Sequence, residues 1–499
     1  MSNARLARRS TAYVLLGFLA PAVNFLLQPL FSNLLAPQDY AIIALSALAQ
    51  AVVTPLVGLG VNGSFARLYY DVSRHRPAVD AMMATSFFIF LLSVAGLLVT
   101  GWLLGPAVFS LSFKSDAFTF YPYGYLVIAT ALGGNLQLLV LSMLRNAEQA
   151  RQYIFWAILF FISSAAGILI GVAGLRLGAL GSVAGRMVGT MLPVLVYIAL
   201  FFWRRRRTAV VRPYMARRLL VYGLPLVPYL LLNVAFNNVD KVLVEQYFDL
   251  DVLGMYSFAM LVASVIEIFN SAISGAMYPP LFREVRNNPA GLGAPRVREV
   301  LRMVLLVSFA MNALVFGLGS PVIRWLINPR YHEALAYLPL LCAAFVPRAL
   351  WIAWSMPMMY AKKVKQLPLI NAVALAASVG SSLLLLPRIG LYALPVSLFL
   401  AQATMVLGGI YFSRRLGLDM RQIRRLWPEH LLGLALVLLA VAATLGYALI
   451  TPTVWWHTGA MGILAVVVLI AYRGPLAAFA GPLLRKLPFF RSGPGSIGG

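Results

Sequence analysis

Fourteen apolar runs, each close to the roughly 20 residues that a membrane-crossing helix needs, divide the chain. They lie near residues 11–34, 40–64, 79–104, 121–144, 152–173, 178–203, 219–248, 252–279, 301–327, 335–360, 367–386, 390–413, 430–450 and 456–479. Only 11% of the 499 residues are charged and 61% are hydrophobic. A soluble domain carries about 25% charged residues, so this chain cannot cover a globule with polar surface. The sequence specifies an all-α polytopic membrane protein.

The net charge of +25 does not point to nucleic acid. A nucleic-acid protein would gather its charge on a soluble face, whereas here it sits in short segments between apolar runs. With the N-terminus inside, 32 of the 40 Lys and Arg residues fall in cytoplasmic segments. Lys114, Arg176, Arg330 and Arg388 fall on the far side, and Arg186, Lys241, Arg324 and Arg348 lie within or at the ends of spans. This asymmetry follows the bias of basic residues toward cytoplasmic loops. It places both termini in the cytoplasm. Arg324 sits near the far membrane surface, where snorkelling accounts for it.

Other features narrow the chemistry. Cys342 is the single cysteine, so no intramolecular disulfide forms. His75, His332, His430 and His457 show no metal-ligand spacing, so neither a metal nor a cofactor is expected. No Gly-rich nucleotide loop with its lysine appears, which argues against ATP-driven transport within this chain. Ala20-Pro21-Ala22 faintly resembles a signal-peptidase site, but the apolar run continues to Leu35 and reads as a retained first helix.

The longest basic connector, WRRRRTAVVRPYMARR from Trp203 to Arg218, reads as a topogenic segment that binds lipid headgroups. It divides the chain into a six-helix bundle (1–203), the linker itself (204–218), a second six-helix bundle (219–415) and two further helices with a cytoplasmic tail (416–499). Sliding the sequence by 216 positions pairs Tyr13 with Tyr229, Tyr40 with Tyr256 and Arg67 with Arg283. LRLGAL (Leu175 to Leu180) also parallels PRIGLY (Pro387 to Tyr392). Six helices per half keep the halves in one orientation, so a pseudo-twofold axis along the membrane normal is expected. Gly167 and Gly171 in the fifth span, and Gly181, Gly185 and Gly189 in the sixth, recur at four-residue spacing, which predicts a tightly packed hairpin.

Two stretches carry a family resemblance. RRSTAYVLLGFLAPAVNFLLQPLFSNLLAPQDYAIIAL resembles the first hairpin of Wzx-type flippases, with an acidic-Tyr pair opening the second helix. YGLPLVPYLLLNVAFNNVDKVLVEQYFDLDVLGMYSFA resembles their seventh and eighth helices, with a Leu-Pro start, an Asp-Lys pair and a Gly-x-Tyr restart. The helix plan of nearly the whole chain is similar to the polysaccharide exporter branch of the multidrug/oligosaccharidyl-lipid/polysaccharide (MOP) flippase superfamily. The resemblance implies two six-helix bundles around a central cavity, plus two C-terminal helices. It implies transport of undecaprenyl-diphosphate-linked oligosaccharide across the bacterial inner membrane, with membrane lipids and polysaccharide polymerase machinery as partners.

The polar residues inside the spans then become candidates. Asn233, Asn237, Asp240, Lys241 and Glu245 fall at three-, four- and seven-residue spacings in the seventh span and form one stripe on a helix. Such a stripe faces protein or a water-filled cavity rather than lipid. One reading makes it a local ion pair, with Lys241 and Glu245 one turn apart. The other makes it a cavity wall shared with Glu267, Arg348 and Arg186 on other spans. Arg348, Arg186 and Lys241 are the expected diphosphate ligands, since guanidinium donors match phosphate oxygens. Asn24, Tyr229, Asn233 and Asn237 are the expected sugar-binding wall, Asn24 standing opposite Asp240 under the 216 offset. Asp240, Glu267 and Glu245 are the candidates for proton or sodium coupling, and Pro225 and Pro228 loosen the start of the seventh helix.

Three rivals remain at this stage. A cation-coupled drug exporter of the same fold would present an acidic, aromatic cavity, and a lipid II flippase is a near neighbour. A membrane polymerase, ligase or glycosyltransferase would need a catalytic loop or domain, and the longest far-side loop, Gly105 to Phe120, carries only Lys114 and Asp116. The chain is therefore read as a transporter rather than an enzyme.

Overall fold

The computed structural model describes residues 28–449 apart from Arg74 and Lys362, and among these all regular structure is helical. The helices are α1 (Gln28–Leu34), α2 (Pro37–Gly58), α3 (Val61–Val72), α4 (Arg76–Ser112), α5 (Tyr125–Asn146), α6 (Ala150–Leu169), α7 (Gly178–Arg205) and α8 (Pro213–Gly223). They continue as α9 (Val227–Tyr247), α10 (Leu250–Asn287), α11 (Pro295–Leu326), α12 (Leu338–Tyr360), α13 (Leu367–Ile389), α14 (Ala393–Arg415) and α15 (Trp427–Leu449). Proline opens several of them, where its missing N–H would be unpaired in any case.

Eleven helical stretches among the described residues are long and apolar enough to cross a membrane. Ten correspond to single expected spans, and the 49-residue stretch Leu367–Arg415 carries two, separated at Gly390. The expected spans 11–34 and 456–479 lie mostly or wholly outside the described residues. The seventh span breaks at a 3₁₀ turn, Leu224–Leu226, which holds Pro225.

The chain forms two compact units. The first runs through Val262 and adds Leu326–Leu335 and Lys365–Thr404; the second comprises Ala263–Trp325, Ala336–Val364 and the chain from Met405.

In the first unit, a core of Phe65, Phe87, Phe90, Leu139, Val194 and Phe201 joins α3, α4, α5 and α7. α6 and α7 pack backbone to backbone. A Cβ on Gly167 would lie 2.1 Å from the Gly185 carbonyl oxygen, and one on Gly171 would lie 2.0 Å from that of Gly181. The hairpin read from the glycine spacing is therefore present, and only glycine permits it. Asp39 ties two helix starts together: Oδ2 accepts from Ala36 N–H ahead of α2 (2.9 Å), and Oδ1 accepts from Ala179 N–H in α7 (2.9 Å). A carboxylate at two N-termini is favourable because both present unpaired N–H groups and a positive dipole end. The Gly-x-Tyr restart has an equally local cause, since a Cβ on Gly254 would lie 1.9 Å from the Pro37 carbonyl oxygen.

Positions that the sequence comparison pairs share some local geometry. Gly178 and Gly390, aligned by the LRLGAL and PRIGLY stretches, both take positive φ (57° and 56°). Tyr40 donates to Gln28 Oε1 (2.6 Å) on the preceding helix, and its partner Tyr256 donates to Asp240 Oδ2 (3.0 Å) on its own preceding helix.

In the second unit α12 packs on α15. The Trp354 indole N–H donates to His430 Nε2 (3.2 Å), and Arg302 pairs with Glu429 (2.6 Å). Asn312 Nδ2 donates to the Cys342 carbonyl (2.8 Å), and the Cys342 thiol is buried. Between α14 and α15, hydrogen bonds from Arg421 hold the Asp419 carboxyl below the usual carboxylate range.

Candidate functional site

The polar residues of α9 do not share one environment. Asp240 and Glu245 are buried, Asn233 and Lys241 are half-buried, and Asn237 is exposed. Asp240 accepts the hydrogen bond from fully buried Tyr256, and Lys241 Nζ lies 3.7 Å from its other carboxylate oxygen. Lys241 Nζ also reaches Asn238 Oδ1 at 3.4 Å.

The one-turn pair of Lys241 with Glu245 is not made, which corrects that reading. Glu245 Oε1 instead accepts the backbone N–H groups of Lys114 and Ser115, the latter at 2.9 Å, just past the end of α4. Two aligned N–H donors solvate a carboxylate as well as an ammonium would, and they also pin the loop. Asn237 Nδ2 donates to the Asn233 carbonyl (2.8 Å) and side-chain oxygen (2.6 Å), and Tyr229 is partly exposed one turn before Asn233. Asn24 lies outside the described residues.

In the second unit, Arg348 and Glu267 meet. Arg348 Nε donates to both carboxylate oxygens (3.1 and 3.0 Å), and Nη2 donates to Oε1 (2.8 Å). Two of the three expected diphosphate ligands thus carry a carboxylate partner.

Arg186 does not. All fifteen Asp and Glu residues lie among the described residues, and none of them pairs with Arg186. It sits in α7 at a cleft lined from α2 by Ile43, Ser46, Ala47 and Gln50, from α5 by Val127 and Thr130, and from its own helix by Ser182 and Val183. The cleft admits about one water-sized group. A cation held inside a membrane protein without a counter-charge costs several kcal/mol. An anion entering this cleft recovers that cost.

The arrangement can hold negative charge. Among the described residues no cluster of three or more His, Cys, Asp or Glu is placed to hold a metal ion. The sequence singled out Arg186 but missed Ser46, Gln50, Thr130 and Ser182 around it. Their signal was there in the four-residue steps Ser46 to Gln50 and Ser182 to Arg186, each one turn of helix.

Solved structures show what fold this is. A multidrug resistance MATE family transporter of the MOP superfamily, in an inward-facing conformation, is similar over 81% of this chain and 94% of its own, with TM-score 0.65 at 14% identity. The lipid II flippase MurJ, in its inward closed conformation, is similar over 93% of this chain and 99% of its own, with TM-score 0.64 at 12% identity. A MOP superfamily transporter from Pyrococcus furiosus, described by a binding pocket of reverse polarity, is similar over 82% and 95%, with TM-score 0.57 at 14% identity. At these identities the likeness is one of fold, and it is the fold that the helix plan predicts. No curated protein matches the sequence. The sequence profile described as polysaccharide biosynthesis protein matches residues 30–336, more than half of the chain, and the protein belongs to that family.

Proposed function

We propose that this protein is a flippase that moves undecaprenyl-diphosphate-linked oligosaccharide repeat units across the bacterial inner membrane by alternating access. Its product serves the assembly of exopolysaccharide, capsule or O-antigen. The observation that carries this reading is Arg186, a guanidinium without a carboxylate partner in a membrane-embedded cleft that no acidic residue lines. A drug exporter that takes cations would meet repulsion there. A diphosphate headgroup, which must leave water with at least two negative charges, meets compensation.

Arg348 and Lys241 enter later in the cycle. Each is neutralised by a carboxylate, so each becomes a phosphate ligand only when Glu267 or Asp240 gives way. An arriving anion competes with those carboxylates for their cations. Proton or sodium entry is thereby linked to cargo, and Asp240 and Glu267 are the coupling groups. Glu245 has less freedom, being occupied with the loop after α4.

The test is cellular and biochemical together. Cells that need the protein for glycan export should, on its loss, accumulate complete lipid-linked repeat units on the cytoplasmic face. Purified protein should leave the length of such units unchanged. Extension or cleavage of the glycan by the purified chain overturns the transporter reading in favour of an enzyme.

A further inference from the structure

The cleft beside Arg186 holds a second anomaly. Ser46 is only 5% exposed, yet its hydroxyl has no hydrogen-bond partner among the described residues. Some buried hydroxyls in the spans donate to the carbonyl one turn earlier, as Thr85 does to Ala81 (2.7 Å) and Ser86 to Met82 (2.9 Å). Ser142, Ser257, Ser308, Ser397 and Ser413 share the unbonded state of Ser46, but of these six serines Ser46 is the one that lines the Arg186 cleft. Leaving a buried hydroxyl unbonded is unfavourable, because its lost hydration is not replaced. A Ser kept free at the mouth of an uncompensated guanidinium is placed to donate to something that enters.

The other walls narrow what that is. Gln50 stands one turn from Ser46 on α2, and Ser182 stands one turn from Arg186 on α7, so two helices each bring two polar groups to one opening. The Thr130 hydroxyl on α5 has already donated to the Leu126 carbonyl (2.6 Å) and adds no proton. The remaining walls, Ile43, Ala47, Val127 and Val183, are apolar, which excludes bulk water and strengthens each charge-assisted hydrogen bond. Space for about one water-sized group suits a single oxygen atom, not a sugar ring or an aromatic drug.

We infer that Ser46, Gln50 and Ser182 form with Arg186 a seat for one phosphoryl oxygen. The inference rests on the flippase reading only for the identity of the occupant. The phosphoryl oxygen can belong to a lipid headgroup or to a free phosphate, and the two are separable.

The probes are farnesyl diphosphate, farnesol and inorganic pyrophosphate, added to the purified full chain in detergent, with binding read as a shift in unfolding temperature. Farnesyl diphosphate should stabilise the wild type and farnesol should not. Arg186→Gln should abolish the shift, and Ser46→Ala should weaken apparent affinity about tenfold, the value of one hydrogen bond to a charged group. Gln50→Glu should also abolish it, by placing a carboxylate against the guanidinium; this variant keeps the size of the side chain and leaves Arg186 paired, so loss of binding is not loss of fold. Ser86→Ala, which removes a hydroxyl already bonded within its helix, should bind as wild type does.

Equal competition by pyrophosphate assigns the seat to free phosphate, and no competition assigns it to the lipid headgroup; both retain the phosphoryl seat. An unshifted wild type, or wild-type affinity in Ser46→Ala and Gln50→Glu, overturns it. Failure of the flippase reading looks different: the seat binds farnesyl diphosphate, but lipid-linked repeat units do not accumulate when the protein is lost.

Discussion

Arg348 on α12 grips Glu267 on α10 through both Nε and Nη2, with three hydrogen bonds of 2.8–3.1 Å. The fork satisfies the carboxylate on two oxygens and leaves the side chains only 26% and 28% exposed. Glu267→Gln keeps the shape and removes the charge, so it should lower stability by about 1–3 kcal/mol, less than for a fully buried pair. Unfolding in detergent measures the loss. Exchanging the two charges, Glu267→Arg with Arg348→Glu, should recover part of it; no recovery would mean that local packing rather than the pair sets the stability.

The backbone contact of α6 with α7 makes a sharper prediction. Gly185→Ala would place its methyl 2.1 Å from the Gly167 carbonyl oxygen, so the helices must separate. Overpacking of this kind costs about 1–3 kcal/mol. Gly134→Ala, where nothing lies within 4 Å, is the control and should be neutral in the same unfolding measurement.

Glu245 is the clamp on the loop that follows α4. Glu245→Ala should leave the amides of Lys114 and Ser115 without acceptors. Their hydrogen exchange should then quicken by about tenfold or more, as expected for losing charge-assisted bonds. Unchanged protection at both amides would assign the clamp to some other contact.

How much of this was legible in the sequence depends on the range of the interaction. Spans, glycine hairpin and helix starts follow from patterns within a few residues, and they are where the apolar runs, the four-residue glycine steps and the prolines put them. The partners of Glu245 and Arg348 are not local. Glu245 bonds a loop 131 residues away, and Arg348 meets Glu267 across 81 residues, so the neighbour at helical spacing was the wrong partner for Glu245. Arg186 was visible as a charge in an apolar run, but its isolation emerges only once every carboxylate has been placed. Ser46 and Gln50 carry no charge and no motif, and only the cleft gives them meaning.

Orientation rests on the location of basic residues and is open to chemical labelling. With Cys342 replaced by Ala, single cysteines placed in 204–218 should react with an impermeant thiol reagent only from the cytoplasmic side. Cys342 itself, which is fully buried, should stay unlabelled in the folded protein. Labelling of the linker in intact spheroplasts would invert the topology.

The central claim is that an uncompensated cation in the first unit receives an anionic lipid headgroup for transport. Its most direct test is flipping of polyprenyl-diphosphate-linked oligosaccharide by purified protein in liposomes, followed by capture of the sugar at the opposite leaflet. Wild-type protein should expose the cargo, and Arg186→Gln, inserted and folded to the same extent, should slow exposure by about tenfold or more, as loss of a charge-assisted anion contact predicts. Wild-type protein that moves no cargo, or Arg186→Gln that moves it at the wild-type rate, would contradict the account.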